Sequence, residues 1–244
     1  MILSMLLFFA QATDTLPLMG GEGNPSIVTK VAALAALALL PYAIMLLTSF
    51  TKIIVVLSLL RQALGVQNTP PNQVLVGIAL LLTIYVMFPT GLAMYTAAEN
   101  AVVGPPPQDL VSGDAAQYIL KVTDAAKEPL RQFLGRNCVT KHVNGFFQLA
   151  NRLFPEPFKS ALKANDFIIL IPSFITSQLQ AAFEVGVLIY LPFFVIDLVV
   201  SNILLAMGMM MLSPLTIALP IKLLLLVMLD GWSVLLQGLV LTFR

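Results

Sequence analysis

From Val74 to Ala98 the chain runs without one charged side chain. After Asp166 it is apolar almost to its end, interrupted only by Glu184, Asp197, Lys222 and Asp230 before Arg244. A third block, Val31 to Thr51, is likewise free of charge, and past Lys52 it resumes from Ile53 to Leu60. Crossing a bilayer as a helix takes about 20 apolar residues, and each block reaches that length. Only 10% of the chain is charged and 59% is hydrophobic, against about 25% charged in a soluble domain. Such a chain cannot clothe itself for water. The expected fold is an all-α integral membrane-type protein of kinked helical hairpins, with four long apolar helices and a mostly helical polar insert.

The charges are concentrated. Fifteen of the 25 lie between Glu99 and Asp166, together with Pro105-Pro106-Pro107, Cys138 and His142. Helical spacing runs through Ala115–Leu134 and Phe146–Leu153 of that segment. The expected layout is a candidate signal peptide at 1–12, apolar helix regions at 27–63 and 72–98, and the insert at 99–165. A third apolar helix region at 166–206, a methionine turn at 207–214 and a fourth region at 215–242 follow. The sixteen prolines imply breaks and kinks that neighbouring groups must satisfy. At the N-terminus Ala10-Gln11-Ala12 fits a cleavage site, yet the positive n-region of a signal peptide is missing. A cleaved leader and a plain hydrophobic end both stay open. The short link from Arg61 to Gln73 carries Arg61, with Lys52 just upstream and no acid nearby. This places the link in the cytoplasm and the insert on the opposite side of the membrane.

Several function classes fall away. A net charge of +1 provides no footprint for nucleic acid. One cysteine and one histidine leave no disulfide and no zinc cluster, and Cys138 and His142 read as solvated surface residues. There is no H-E-x-x-H, G-x-S-x-G or G-x-x-x-x-G-K-[ST] pattern. The expectation is no catalytic residue, no enzyme, no cofactor and no metal.

The four apolar-block charges carry more information, because an ionisable side chain at membrane depth is costly and defaults to a functional or paired role. Asp197 and Lys222 stand about 12 residues, roughly 19 Å, on either side of the turn. An antiparallel hairpin would bring them to one depth as an ion pair, either a proton-relaying switch or a structural pin, the pin being favoured. Glu184 mirrors Leu235 in that hairpin. Its partner then belongs to another chain or to water, and Asp230 is a further charge without an assigned mate. The turn itself carries Met207, Met209, Met210 and Met211, four of eleven methionines. Methionine is flexible and polarizable, so the run reads either as a deformable gate or as apolar filler at a helix end.

At these residues the chain resembles the FliP-type export-gate proteins of type III secretion, found in flagella and in virulence injectisomes (where the subunit is called SctR). The resemblance rests on Thr48-Ser49-Phe50-Thr51-Lys52, Leu60-Arg61-Gln62-Ala63-Leu64-Gly65 and Pro70-Pro71-Asn72-Gln73. It continues in Pro172-Ser173-Phe174-Ile175-Thr176-Ser177-Gln178-Leu179 and Ala182-Phe183-Glu184-Val185-Gly186. Asp197-Leu198-Val199, the methionine run, Leu219-Pro220-Ile221-Lys222 and Asp230-Gly231-Trp232 complete it. Gln178 stands where glutamate is common, and Ile221 where phenylalanine is common. The insert carries little of the pattern. Ser201-Asn202 and Leu212-Ser213-Pro214 look more like the injectisome branch, the N-terminal segment more like the flagellar one.

The resemblance implies a non-catalytic channel subunit that passes unfolded polypeptide. It further implies five copies assembled with FliQ- and FliR-type partners (SctS and SctT in injectisomes), much of the chain lying above the membrane plane, and the methionines as a gasket inside the channel. Hydropathy alone would put the methionine turn at the cytoplasmic face. The rival reading, a secondary transporter or ion channel using Glu184, Asp197, Lys222 and Asp230, would call for internal repeats, which the sequence does not show.

Overall fold

The computed structural model describes residues 27–66, 69–101, 113–209 and 211–243. The candidate leader at 1–12, the Pro105-Pro106-Pro107 run and Met210 lie outside the described residues. Among the described residues the structure is helical, without strands. In chain order the helices are α1 (Ile27–Leu47), α2 (Phe50–Leu64), α3 (Asn72–Ala101), α4 (Gly113–Arg136) and α5 (Thr140–Leu153). There follow the single turn α6 (Phe158–Ala161), then α7 (Phe167–Ala206), α8 (Pro214–Met228) and α9 (Gly231–Leu241).

Two helices, α3 and α7, are by themselves long and apolar enough to cross a membrane. Two bent pairs raise the number to as many as four: Pro41–Leu47 with α2, bent by 78°, and α8 with α9, bent by 64°. The bends do not fall where the prolines do. Pro41, Pro89 and Pro220 lie inside continuous helices. The first bend falls instead at Thr48 and Ser49, where the Phe50 amide donates to Thr48 Oγ1 at 3.4 Å. The other falls at Asp230, whose φ of 48° puts it in the left-handed region, tolerated by aspartate better than by a branched residue. A proline removes one backbone bond, which a long apolar helix survives; a left-handed residue turns the chain.

The chain divides into two compact units. One comprises Thr48–Met87 and Ile175–Arg244, and α2 is its hub. Phe50, Ile53, Val56, Leu57, Leu60, Ala63 and Leu64 recur at helical spacing and are all buried. Leu75 and Ala79 of α3 pack with Phe50, Ile53 and Leu57. Phe193 of α7 and Leu226 of α8 join Leu60, Ala63 and Leu64, while Ala182 and Leu239 close over Val56. Gly186 allows α7 to approach: a Cβ there would stand 2.2 Å from Leu59 Cδ1. Burying a cluster of this size, at about 1.5–3 kcal/mol per fully buried large side chain, makes α2 the element whose loss would undo the unit.

The other unit comprises Met1–Leu47 and Phe88–Phe174. In it the polar insert packs on the first turns of α7. Phe133 lies against Phe174 with ring centroids 5.9 Å apart, and the Arg131 guanidinium sits 5.1 Å over the Phe167 ring. Cys138 is not the solvated residue expected from its charged neighbourhood. It is half-buried, its thiol donates to the Leu170 carbonyl at 3.8 Å, and burial pushes its pKa up to about 11. His142 is half-buried as well.

Two outcomes follow from this packing. Gly186→Ala should lower stability by about 1–3 kcal/mol through overpacking, read as a fall in Tm of the purified protein in detergent, and adding Leu59→Ala should return part of it. The thiol requires alkaline conditions to react, because only the thiolate is nucleophilic. At pH 8 about one Cys138 in a thousand is ionised, so iodoacetamide should label it about a hundredfold more slowly than an unperturbed thiol, with the rate rising about tenfold per pH unit towards 11.

Candidate functional site

The methionine turn is built by the end of α7. Gly208 adopts φ 71°, a conformation glycine reaches without steric cost. The Met209 amide donates to the Leu204 carbonyl at 3.0 Å and the Gly208 amide to the Leu205 carbonyl at 3.1 Å. This pair of bonds is a Schellman cap, which satisfies carbonyls the helix would otherwise leave open. On the far side Ser213 is extended and Pro214 opens α8, where its missing amide costs nothing. With the backbone settled by these caps, the side chains are left free. Met207 is 67% exposed, Met209 39% and Met211 101%.

The charges of the apolar blocks fall into three separate places. Asp197 on α7 and Lys222 on α8 meet: the Lys222 Nζ donates to Asp197 Oδ2 at 2.7 Å. Lys222 is 2% exposed and the Asp197 side chain 34%. Glu184 stands exposed on α7, where its Oε1 accepts from Gln180 Nε2 at 2.8 Å. Asp230 stands exposed at the α8–α9 bend, its Oδ1 accepting from Ser233 Oγ at 2.8 Å.

Lys222 has a second partner that sequence reasoning missed. Its Nζ also donates to the Ala63 carbonyl at 3.0 Å. Ala63 lies in the last turn of α2, whose final carbonyls have no partner within the helix and form the negative end of its dipole. The Gly65 amide takes the Gln62 carbonyl and Lys222 takes that of Ala63. One ammonium thus ties α2, α7 and α8 together. The Leu64-Gly65 step, a helix-ending signal followed by left-handed glycine, was the available clue.

Two further cations also went unassigned. Arg61, in the same last turn, donates to Asn72 Oδ1 at 2.5 Å and to the Pro70 carbonyl at 3.4 Å, pinning the link into α3. Lys52 is 5% exposed, with its ammonium 4.5 Å from the centre of the Phe243 ring, a cation–π contact. Its place as a lone charge between two apolar runs was a signal, but nothing in the local sequence points to a ring near the far end of the chain.

Comparison with known proteins adds a third kind of observation. Residues 33–239 match the FliP family. The Yop proteins translocation protein R of Yersinia pestis is 44% identical over 221 residues, covering 90% of this chain and 97% of that protein. The hypersensitivity response secretion protein HrcR of Ralstonia nicotianae is 42% identical over 221 residues, covering 91% and 99%. The flagellar biosynthetic protein FliP of Pectobacterium carotovorum is 41% identical over 224 residues, covering 92% and 81%. With one family matched over residues 33–239, and relatives aligned over 81–99% of their own length, the chain belongs to the FliP family.

Proposed function

We propose that this chain is a channel-forming gate subunit of a type III protein export apparatus, of the injectisome branch, in the bacterial inner membrane. Unfolded polypeptide passes through the assembly, and the chain performs no catalysis of its own; energy comes from other components. Five copies assemble with FliQ- and FliR-type partners, SctS and SctT in injectisomes. The polar insert faces the periplasm, with much of the chain on that side.

The methionine turn carries the reading. A channel for unfolded chains must yield to side chains of every shape, yet hold back ions at rest. An apolar constriction closes by dewetting without any charged plug, and methionine deforms around what passes where leucine would resist. Met207, Met209 and Met211 stand out from a turn whose backbone bonds are already made, and Met210 lies between them in sequence. Repeated around an axis, such turns form a gasket. The dimensions of α7 support an assembly. Forty residues at 1.5 Å each reach about 60 Å, twice the roughly 30 Å hydrocarbon core. Its tilt would have to be about 60° to fit inside, beyond the usual range of up to about 40°, so part of this apolar helix is covered by protein.

In this reading the Lys222 junction is a structural pin that holds the hairpin presenting the gasket. The charges argue against a polar pathway, because Glu184, Asp230 and the Asp197–Lys222 pair occupy three separate settings.

The pin and the gasket are separable by experiment. Asp197→Ala and Lys222→Ala each leave an unpaired charge, at a cost of about 3–5 kcal/mol, and should sharply reduce the assembled complex and secretion. Asp197→Ala should be the worse of the two, because it leaves the buried ammonium with the Ala63 carbonyl alone, whereas Lys222→Ala leaves a carboxylate that is 34% exposed. The double swap, Asp197→Lys with Lys222→Asp, should recover only part, since a carboxylate cannot donate to that carbonyl. Recovery to the wild-type level would remove the Ala63 bond from the account. For the gasket, Met209, Met210 and Met211 replaced together by alanine should leave the complex assembled while raising small-solute permeability of the membrane at equal complex abundance. Unchanged permeability in an intact complex would end the gate reading of these methionines.

A further inference from the structure

Met207, Met209 and Met211 differ from the other described methionines in where they stand. Met87 and Met94 are half-buried within α3, Met45 lies within α1 and Met228 ends α8. The turn methionines belong to no helix. Met211 is wholly exposed and Met207 is 67% exposed, so these two thioethers pack little against the chain. Nor does the turn need them to hold its shape. The Gly208 and Met209 amides are spent on the α7 cap, and the Leu212 amide donates to the Met209 carbonyl at 3.3 Å. A chemical change at these sulfurs would leave the backbone in place and alter only the surface that the turn presents.

Peroxides oxidise a thioether without its first ionising, and methionine becomes methionine sulfoxide, polar where it was apolar. The oxygen–oxygen bond of the peroxide breaks. One oxygen bonds to a sulfur lone pair, the sulfur giving up two electrons, and the other leaves as water. The chain's one thiol competes poorly, because Cys138 is half-buried and burial pushes its pKa up to about 11. An apolar constriction stays shut because water inside it finds no hydrogen-bond partner. A sulfoxide oxygen is such a partner, and in a ring of identical turns every copy would contribute its own.

Resting on the reading of this turn as the gate, we propose that Met207, Met209 and Met211 are a reversible oxidation site. Peroxide wets the constriction and lets small solutes through, and a methionine sulfoxide reductase closes it again. In that return step two thiols are joined as a disulfide and the sulfoxide oxygen leaves as water. Methionine in place of leucine then has a consequence beyond softness: the seal opens to an oxidant that leucine would ignore.

The test uses the assembled complex with its partner subunits, reconstituted into vesicles of phosphatidylethanolamine and phosphatidylglycerol that hold a small self-quenching dye. Hydrogen peroxide is added, dye release is followed, and peptide mass spectrometry scores the gain of oxygen at each methionine. Protein-free vesicles set the background from lipid oxidation. Dye release should rise about tenfold or more once the turn carries sulfoxide, and methionine sulfoxide reductase with dithiothreitol should return it to the starting level. With Met207→Leu, Met209→Leu, Met210→Leu and Met211→Leu combined, export should slow, since leucine yields less, but dye release should not respond to peroxide. The wild-type response and its reversal read independently of any variant. Full oxidation of the turn with unchanged release overturns the proposal, as does a response as large in the leucine variant or a turn that peroxide does not oxidise. The alanine variant of Met209, Met210 and Met211 separates the two readings. If it leaks while the oxidised wild type stays tight, the gate stands and the oxidation switch falls. If it stays tight, the gate reading falls and takes the switch with it.

Discussion

One buried ammonium organises the apolar unit. Lys222 reaches a carboxylate on α7 and a helix-end carbonyl on α2, so the α7–α8 hairpin and α2, far from it in sequence, share a single charge. A bare ammonium in so apolar a setting would be prohibitively costly. The two acceptors make it tolerable, and the cost of losing either is what gives the arrangement its precision. Hydrophobic packing around α2 supplies most of the stabilisation but is non-directional. The ammonium supplies direction: it fixes the depth at which α7 and α8 pass one another and where α2 must end.

That fixed depth bears on the proposed gate. The turn between α7 and α8 is capped by its own backbone and opened by proline. Its position follows from the two helices, and those are registered by the Asp197–Lys222 pair, well back from the tip. A soft tip on a firm stem suits a seal: the methionines can deform while the hairpin holds its place. The same logic explains why the turn needs no charge. In the proposed gate, closure by dewetting would ask for apolar surface at a defined radius, which the stem would set.

The distribution of burial is unusual for a chain with so little charge. The interior of the α2 unit holds Lys52 and Lys222 among leucines and valines. Among the described residues its outside is largely Leu, Val, Ile and Phe, with the carboxylates of Glu184 and Asp230. For a soluble domain this would be inside out. For a membrane protein, an apolar exterior is matched to its surroundings, and the exposed carboxylates of Glu184 and Asp230 are each held by a side chain of their own segment. The insert behaves conventionally by contrast, with ion pairs such as Arg131 with Glu128 at its surface and aromatic contacts beneath.

Much of this was legible in the sequence. The charge-free runs from Val31 to Thr51 and from Val74 to Ala98 can only be helices when no water is available to satisfy the backbone, so the all-α class follows from composition and run length. The proximity of Asp197 and Lys222 follows from their equal spacing about a turn marked by glycine, serine and proline, and the family follows from short motifs. The tertiary structure alone decided the rest. It placed the bends at Ser49 and Asp230 instead of at prolines, half-buried Cys138, brought Leu59 onto Gly186, set Phe243 over Lys52 and handed the Ala63 carbonyl to Lys222. Hydropathy records how strongly a residue leaves water, a property each side chain carries alone. What replaces the water depends on which helices arrive, from how far along the chain, and at what angle, and no local pattern contains that.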